Sequence, residues 1–549
     1  MTPIGGPRSL PILWAACCCA IACSSDSPSA DAGARSADGP ARGGTVISAW
    51  NVDFQAFNSL VNTDQNTNEV IAFLLFTPLV RYDSAYRVEP YLAERWTIEP
   101  AGVTFHLRRD VRWHDGAPVT AHDVAFTFAR AKDPATGSPL ASAYFADVAS
   151  AAAVDSYTVR FEFERPHAQA IEDFVFWAPM PRHLLDTVPP EGMRRTPFNR
   201  APVGSGPFRF VEWRPQLHAV FERNPSFPET LGGPPHLDRI VLRMVEESTA
   251  RLTELLSGAL DLNLSLWPAQ ARQVERARNV RLLSYDSRIF YYIGWNTRHG
   301  LFERAPARRA LTLAIDRRQI IEALLDGRAD PAAGPIPPWH PLYDPELEPL
   351  PYDPSAARAL LAAEGWRDRD GDGVLEDSAG RPFRFELMAN VETPVRTDIA
   401  QIVQADLRKI GVRVDVRTFE WQTMLSRHRN REFEAVVTSW VLDNFRVDPY
   451  ALFHSAEADR PGSYNRSGYR SERADRWIEA GRAESDPAAA IEIWSRFTQV
   501  LQEDQPFTFL LWQRGLAGVR DRLHNVHMDA RGQLATAAEW WVSNGGLRP

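Results

Sequence analysis

The sequence predicts an α/β protein, because stretches with the two-residue period of strands alternate with stretches that have the period of helices. The clearest example lies between residues 381 and 419. "RPFRFELMAN" (381–390) and "VRVDVRTF" (412–419) alternate apolar and polar residues. Between them, Thr393 and Pro394 fit the N-cap and first position of a helix that ends at Gly411. Because a helix joins two strands, we expect parallel strands and a right-handed connection.

The same signals predict further elements. One helix is expected from residue 306 to about 326, and another from 353 to 365, each closed by a glycine. Nearer the N-terminus, residues 95–116 predict a β-hairpin with its turn at 100–102. One face of its second strand carries Val103, Phe105 and Leu107.

Two His-Asp pairs, at 114–115 and 122–123, raise the question of a catalytic or metal-binding cluster. A zinc-protease helix needs two histidines four residues apart with a glutamate between them, and that spacing is absent. Asp115 and Gly116 fit a turn, whereas Thr120 and Asp123 fit a capping box at a helix N-terminus. The pairs are therefore predicted to be structural.

The composition is that of a globular protein, with 44% hydrophobic and 24% charged residues among 549. This length suggests about three to four domain-sized units. The formal net charge is −9, and basic residues are scattered among acidic ones. Both features argue against nucleic acid as a partner and against a polybasic membrane patch. No sequence of the dinucleotide-binding or Walker type predicts a nucleotide site.

The N-terminus predicts a secreted, lipid-anchored protein. All four cysteines lie in the first 23 residues, and "LPILWAACCCAIA" (10–22) fits a secretory signal that is too short to span a membrane. Residues 20–23 resemble the bacterial lipobox, so Cys23 is the predicted lipidation site and 1–23 the signal peptide. A signal peptide without lipidation is the alternative. Residues 24–43 lack large apolar side chains and predict a disordered tether.

The segment "DRDGDGVLEDSA" (368–379) partly matches a calcium-binding loop. The acidic side chains fall at positions one, three, five and nine, and Gly373 falls at position six. Ala379 stands at position twelve, where a bidentate glutamate belongs, and the flanking helices are missing. Structural calcium and a polar surface turn both remain open, with these candidate ligands: Asp368, Asp370, Asp372 and Glu376.

The stretch "VVTSWVLDNFRVDPYALF" (436–453) contains the candidate binding residue Asp443. A strongly apolar, strand-like run ends in this aspartate. A carboxylate in such a place is costly unless a cation or hydrogen-bond donors meet it, and the ammonium group of a ligand would do so. The alternative is that Asp443 caps the following turn.

Five ordered segments of the chain resemble the bacterial extracellular solute-binding proteins of family 5, the dipeptide- and oligopeptide-binding components of ABC importers. The resemblance covers about residues 44 to 545. The segments are "YLAERWTIE…VTFHLRRDVRWHDGAPVTAHDVAFTF" (91–128), "VGSGPFRFVEW…FERNPSF" (203–227), "RLTELLSGALDL" (251–262), "GWNTRHGLFERAPARRALTLAIDRRQII" (294–321) and "YNRSGYRSERADRWIEAG" (464–481).

The resemblance implies a large two-lobed periplasmic-binding-protein fold. Lobe one would comprise 44–85, 200–285 and 514–549, with a subdomain inserted at 86–199. Lobe two would comprise 286–513. Two crossings, near 285–290 and 511–515, would form the hinge, and a ligand between the lobes would stabilise the closed form.

The resemblance also implies a binding site. In peptide-binding relatives a tryptophan followed three residues later by aspartate holds the ammonium group, and Trp440 and Asp443 match that spacing. The backbone of Ser439 to Val441 would supply a strand edge for the peptide. The chain departs from the family where 445–447 lengthen the gap before Asp448-Pro449, and Arg446 in that gap favours an acidic ligand as an alternative.

The expected function is that of a non-enzymatic receptor. As a periplasmic monomer, lipid-anchored to the cell envelope membrane, it would pass short peptides to the permease subunits of an ABC importer. It would need no cofactor apart from the calcium considered above. Three alternatives remain. The same fold could bind an oligosaccharide, suggested by the 17 tryptophans, or a metal chelate, or the chain could be a secreted hydrolase with paired carboxylates.

Overall fold

The largest sheet contains strands from both halves of the chain. The computed structural model describes residues 40–99, 101–164, 170–442 and 444–543, apart from the side chains of 142 and 143. Residues from Pro40 onward form one compact unit. The strands in the described part of the chain are β1 Thr45–Trp50, β2 Val80–Tyr82, β3 Val88–Pro90, β4 Ala93–Glu99, β5 Gly102–Leu107, β6 Val148–Asp155, β7 Thr158–Phe163, β8 Phe208–Arg214, β9 His218–Arg223, β10 Arg239–Met244, β11 Leu262–Asn263, β12 Val280–Trp295, β13 Ala329–Pro331, β14 Arg384–Asn390, β15 Arg413–Phe419, β16 Ala435–Val441, β17 Phe507–Arg520, β18 Leu523–His524 and β19 Trp541–Val542.

The helices lie mainly between these strands. A π-helical turn, Ile71–Leu75, extends the first of them. The α-helices of the described residues are α1 Gln65–Val70, α2 Ala121–Lys132, α3 Leu140–Ala143, α4 Arg182–Leu185, α5 Ser248–Ser257, α6 Pro268–Arg276, α7 Ala305–Leu313, α8 Arg317–Leu325, α9 Pro354–Ala363, α10 Pro394–Arg408, α11 Trp421–Arg429, α12 Tyr450–Phe453, α13 Glu472–Ala483 and α14 Pro487–Asp504. No described helix is both long and apolar enough to span a bilayer.

Two long strands connect the halves of the main sheet. Its order is β15-β14-β16-β12-β17-β11-β1-β10-β9-β8, with β13 also paired to β17. The β12–β17 ladder is interrupted between Asp286 and Phe290, and pairing resumes opposite Trp512. The interruption falls within the predicted crossings. A separate antiparallel sheet of order β4-β5-β7-β6 lies within the predicted inserted segment.

The hydrophobic core is divided in the same way. One cluster gathers buried residues from 46–264 and 517–542, and two large clusters lie between residues 290 and 512. In the described chain, a single buried residue from lobe two, Phe445, belongs to the cluster of lobe one. We keep the names lobe one and lobe two with the boundaries given above, which remain predictions.

The strand–helix–strand prediction is confirmed. β14 and β15 are parallel, with Arg384 opposite Arg413, and α10 begins at Pro394 as expected. The helix predicted at 353–365 is α9, which Asp353 caps through the amides of Ser355 and Ala356. Beyond it, Gly365 adopts φ +92, which only glycine adopts readily.

The single helix predicted from 306 to 326 is wrong, because the structure contains two shorter helices. α7 ends at Leu313, and Asp316 caps the start of α8 by accepting a hydrogen bond from the amide of Gln319. The Asp316 amide itself donates to the Asp406 carboxylate at 3.0 Å. The break therefore has a long-range cause as well as a cap.

The His-Asp pairs have the predicted structural roles. The Asp123 carboxylate accepts from the Thr120 amide at 2.8 Å at the start of α2. His114 accepts a hydrogen bond from the Gly204 amide and contacts the Gly206 carbonyl, so it connects two loops. Burial lowers the pKa of His114 to about 4 and keeps it neutral.

Candidate functional site

The carboxyl-terminal half of β16 forms an open strand edge between the lobes. On one side β16 pairs with β12 over its whole length, from Ala435 to Val441. On the other side β14 runs beside it only at Ala435 and Val436. Beyond Val436, no described strand pairs with this second edge. A further extended chain could therefore pair there.

The hydrogen-bond alternation of the β12–β16 ladder determines which backbone groups face this open edge. Leu442 N donates to Arg288 O at 2.9 Å, and antiparallel partners alternate between bonded and non-bonded pairs. Trp440 is therefore bonded to Phe290 of β12. Ser439 and Val441 occupy the non-bonded positions, so their N–H and C=O groups point away from β12 and toward the open edge.

The Trp440 side chain lies on the lobe-two side of this strand. It packs edge-on against Tyr464, with ring centroids 5.1 Å apart. It also lines an apolar cavity of about 80 Å³ beside Phe290 and Leu452. Asp443, predicted to bind the ammonium group, lies outside the described residues, so its role stays a prediction.

Arg396 is a residue of this site that the sequence analysis did not identify. Its guanidinium is largely buried and donates to Ser439 Oγ at 2.7 Å and to Asn390 Oδ1 at 2.8 Å. Its Nε has no hydrogen-bond partner, and no carboxylate of the described residues forms an ion pair with it. Burial lowers its pKa. Because a buried cation is costly without an anion, this group is suited to receive one from a ligand.

The sequence places Arg396 in the first turn of a predicted helix, where a basic residue is unusual. Its position in the sequence alone does not show why it is there. The arginine is the third residue of α10, within the first helical turn. The positive end of the helix dipole lies there and disfavours a cation. Its guanidinium also stacks over the Trp421 ring at 5.2 Å. This stacking and the hydrogen bonds to Asn390 and Ser439 hold the cation at this position against the dipole.

A cavity of about 250 Å³ lies beside the crossings, between the lobes. Lobe one lines it with Gln65, Asn66, Glu69, Leu264, Ser265, Leu266, Asp529, Ala530, Gly532 and Gln533. The rest of the lining comes from β12, β17 and Val441 of β16. Glu69 lies at its wall, and burial raises the pKa of this carboxyl although the amides of Gln533 and Leu534 donate to it. The cavity adjoins the open edge, because Val441 lines the cavity and is also the last residue of that edge.

The segment after the open edge, residues 444–448, contacts lobe one. Phe445 is 3% exposed and stacks on Tyr82, with ring centroids 4.3 Å apart. Arg446 forms an ion pair with Asp173 at 3.1 Å and lies 3.4 Å from Asp448. Two carboxylates thus already neutralise Arg446, which argues against the acidic-ligand alternative.

The four candidate calcium ligands of the 368–379 loop do lie together. Their oxygens are within 4.8 Å of one another, and only Glu376 is buried. Each carboxylate also accepts a backbone amide within the loop, for example Asp368 from Gly371 at 2.7 Å. This arrangement fits a self-contained polar turn as well as a cation site.

Comparison with known proteins assigns the family. The model of the bacterial extracellular solute-binding proteins, family 5, matches residues 87–460. The oligopeptide-binding protein AppA of Bacillus subtilis is 30% identical over 538 residues, which cover 95% of this chain and 96% of AppA. The chain belongs to the family 5 solute-binding proteins. Di/tripeptide-binding protein 2 of Pseudomonas aeruginosa is 26% identical over 474 residues, which cover 82% of this chain and 86% of that protein.

The family 5 fold agrees with solved structures. The structure of Bacillus subtilis AppA in complex with a nonapeptide matches with a TM-score of 0.74 and 27% identity, covering 92% of this chain and all of that chain. The two-lobed fold expected from the resemblance is confirmed. Family membership does not test the individual residues of the cleft, so the roles of Ser439, Trp440 and Val441 also stay predictions.

Proposed function

We propose that this chain is the substrate-binding lipoprotein of an ABC importer and captures short peptides in the cleft between its lobes. The observation that supports this most directly is the open edge at Ser439–Val441 beside the buried guanidinium of Arg396. An extended peptide carries backbone donors and acceptors for the edge and an α-carboxylate for the guanidinium. One ligand class therefore satisfies both sets of unpaired groups.

The two ends of the ligand would be held by opposite charges. Arg396 would pair with the α-carboxylate beside Ser439, and Asp443 would pair with the α-ammonium group. Ser439 and Asp443 are four residues apart in the sequence.

The chain would act by binding and closure rather than by catalysis. Ligand contacts from both lobes would favour the closed form, which the permease would recognise. Lipidation of Cys23 would hold a monomer at the cell envelope membrane on the tether 24–43. The sequence signals for secretion and lipidation support this localisation in the periplasm.

The proposal is tested by titrating the purified protein with peptides and their end-blocked forms. A free tripeptide should bind, and amidation of its carboxylate should weaken binding on the order of 10- to 100-fold, since it removes a charge-assisted hydrogen bond. Arg396→Gln should weaken the free peptide to a similar extent. In Arg396→Gln, amidation should have little further effect, because both changes remove the same contact. Arg318→Gln, on the exposed side of α8, is the matched control.

The same titration addresses the amino end and the alternatives. N-acetylation and Asp443→Asn should also be non-additive. If free peptides fail to raise the thermal midpoint while an oligosaccharide or a metal chelate raises it, the peptide assignment is wrong, because a ligand of the folded state must stabilise it. Turnover of a peptide or glycan, lost on substitution of one carboxylate, would instead establish the hydrolase.

A further inference from the structure

Phe445 lies on lobe two in sequence but is packed in lobe one. Its ring contacts three aromatic residues of lobe one and its inserted segment: Tyr82 at 4.3 Å, Tyr86 at 5.4 Å and Phe176 at 6.0 Å between centroids. Only 3% of the residue is exposed. We refer to these three residues as the aromatic cage. Phe445 thus buries its side chain across the cleft, in the core of the opposite lobe.

Two ion pairs cross the cleft beside the cage. Arg446 pairs with Asp173, whose side chain is 2% exposed. Arg482 of α13 lies 3.5 Å from Asp147 on the lobe-one side and 3.3 Å from Asp448 on its own side. Opening the cleft would separate Arg446 from a buried carboxylate. Loss of one partner from a buried pair is strongly unfavourable.

Residues of lobe two also contact the segment 444–448. His340 Nδ1 accepts a hydrogen bond from the Leu342 amide at 3.0 Å, so the proton of the neutral ring lies on Nε2. That Nε2 donates to the Phe445 carbonyl at 2.6 Å. Trp339 packs against Phe445 and against Tyr86 of the cage, with ring centroids 4.9 Å apart in both pairs, and donates to Ser287 O at 3.0 Å. The Phe445 backbone is therefore fixed to lobe two while its ring is fixed to lobe one.

From these contacts we infer that residues 444–448 form a latch that holds the two lobes together without a ligand. None of the contacts involves the open edge at Ser439–Val441 or the Arg396 guanidinium. The latch favours the closed form by aromatic burial and by the Arg446–Asp173 pair, whether the ligand site is filled or empty. The ligand-free protein then populates the closed form predominantly.

The latch has a kinetic consequence, which rests on the proposed peptide function. A peptide can enter only while the lobes are apart, so a small open fraction lowers the observed association rate. The same contacts slow release. Weakening the latch should therefore increase both the association and the dissociation rate constants of the peptide. If the ligand contacts themselves are unaltered, the dissociation rate constant should show the larger relative change.

The test measures the distance between the lobes in the absence of any peptide. The chain has no cysteine after residue 23, so Val154→Cys on β6 and Ser485→Cys before α14 provide two unique, exposed sites for spin labels. Pulsed electron paramagnetic resonance on the labelled body from residue 40 onward should give one short-distance population. Phe445→Ala and, independently, Arg446→Met should each increase the longer-distance population at least several-fold over its weight in the unsubstituted protein.

Matched variants separate the latch from a general loss of packing. Phe302→Ala removes a fully buried phenylalanine from the core of lobe two and should leave the distance distribution unchanged. Phe445→Leu keeps part of the apolar contact if the alanine variant does not fold. An unchanged distribution in Arg446→Met, or in a folded Phe445→Ala, overturns the latch, as does a mainly long distance in the unsubstituted protein. Failure of every peptide to bind would refute the proposed ligand class without affecting this measurement.

Discussion

Residues 439–442 and 444–448 are neighbours in the chain, but they differ in their polar contacts. Polar groups of the first stretch and beside it lack partners, whereas those of the second stretch have partners within the protein. In the first stretch, backbone groups of Ser439 and Val441 face an edge without a paired strand, and the nearby Arg396 lacks an anion. In the second stretch, Arg446 meets two carboxylates, and the Phe445 carbonyl meets His340. The first stretch therefore needs a ligand to supply its missing hydrogen-bond and ion-pair partners, whereas the second stretch finds its partners within the chain.

This difference follows from what each stretch contacts across the cleft. The first stretch faces a cavity between the lobes, whereas the second is packed directly onto lobe one. Substitutions in the second stretch should therefore reduce the stability of the protein, whereas substitutions in the first should reduce binding.

Phe445→Ala should have the largest effect on stability. Removing a buried phenylalanine lowers the free energy of unfolding by about 4 kcal/mol. Urea unfolding followed by tryptophan fluorescence should show the loss without ligand. Val441→Ala, at the half-buried open edge, is the matched comparison and should lose less than about 1 kcal/mol. Equal losses in the two variants would remove the distinction between the stretches.

Asp173→Asn should destabilise the protein by about 3 kcal/mol, because it removes the carboxylate that forms the closest ion pair with the buried Arg446. The Arg446→Met, Asp173→Asn double variant should recover part of this loss, since it removes the uncompensated charge. Urea unfolding of the four proteins measures the coupling. A double variant as unstable as the sum of the single variants would show that the pair is not a unit.

Glu172 adds a pH dependence beside the aromatic cage. Burial raises its pKa to about 7 from 4.5, although the Tyr82 hydroxyl donates to its carboxylate. A raised pKa in the folded state means that the stabilising contribution is complete below pH 4.5 and is lost as pH rises toward 7. Glu172→Gln cannot ionise, so it should exceed the unsubstituted protein in stability by about 3 kcal/mol at pH 8 and by little near pH 4.5.

Thermal midpoints measured across this pH range provide the test for Glu172. The exposed Glu191→Gln, in the same inserted segment, should shift the curve at no pH. A constant difference between Glu172→Gln and the unsubstituted protein across the range would show that ionisation of Glu172 is not coupled to folding.

Arg396→Met should change stability by less than about 1 kcal/mol, because a buried guanidinium without an anion offsets its own hydrogen bonds by its desolvation. The same variant should lose the stabilisation that a saturating peptide gives the unsubstituted protein. Thermal midpoints with and without peptide separate the two effects. A large loss of stability without peptide would place Arg396 with the structural residues of the second stretch.

The sequence allowed prediction of elements whose signals are local. Strand alternation, a proline at the first helical position and a terminal glycine were sufficient for β14, α10 and β15. The break between α7 and α8 was missed, because the Asp316 amide that helps to define it bonds to Asp406, ninety residues away. Local periodicity does not contain such a contact.

The candidate site shows the same limit. The segment 445–447 was recognised as a departure from the family spacing. An acidic ligand for Arg446 was kept as an alternative because its partner, Asp173, is 273 positions away. Arg396 was not identified, since the lack of an anion beside a buried cation is a property of the folded chain. The strand edge at Ser439–Val441, which the resemblance implied for a peptide, is left unpaired by β14, and its role in binding stays a prediction.

The 368–379 loop should give the smallest effect, and it tests whether a third region depends on an added ion. Without a glutamate at position twelve, calcium binding should be weak, and about 10 mM calcium should stabilise the protein by at most about 1 kcal/mol. Asp370→Asn should abolish that shift, and magnesium should not reproduce it, because it demands a tighter octahedral site. No shift with calcium in the unsubstituted protein would establish the polar turn, whose carboxylates are then satisfied by the backbone amides of the loop. In that case the polar groups of this loop, like those of residues 444–448, find their partners within the chain. Of the three regions, the open edge with Arg396 is then the one that requires a ligand.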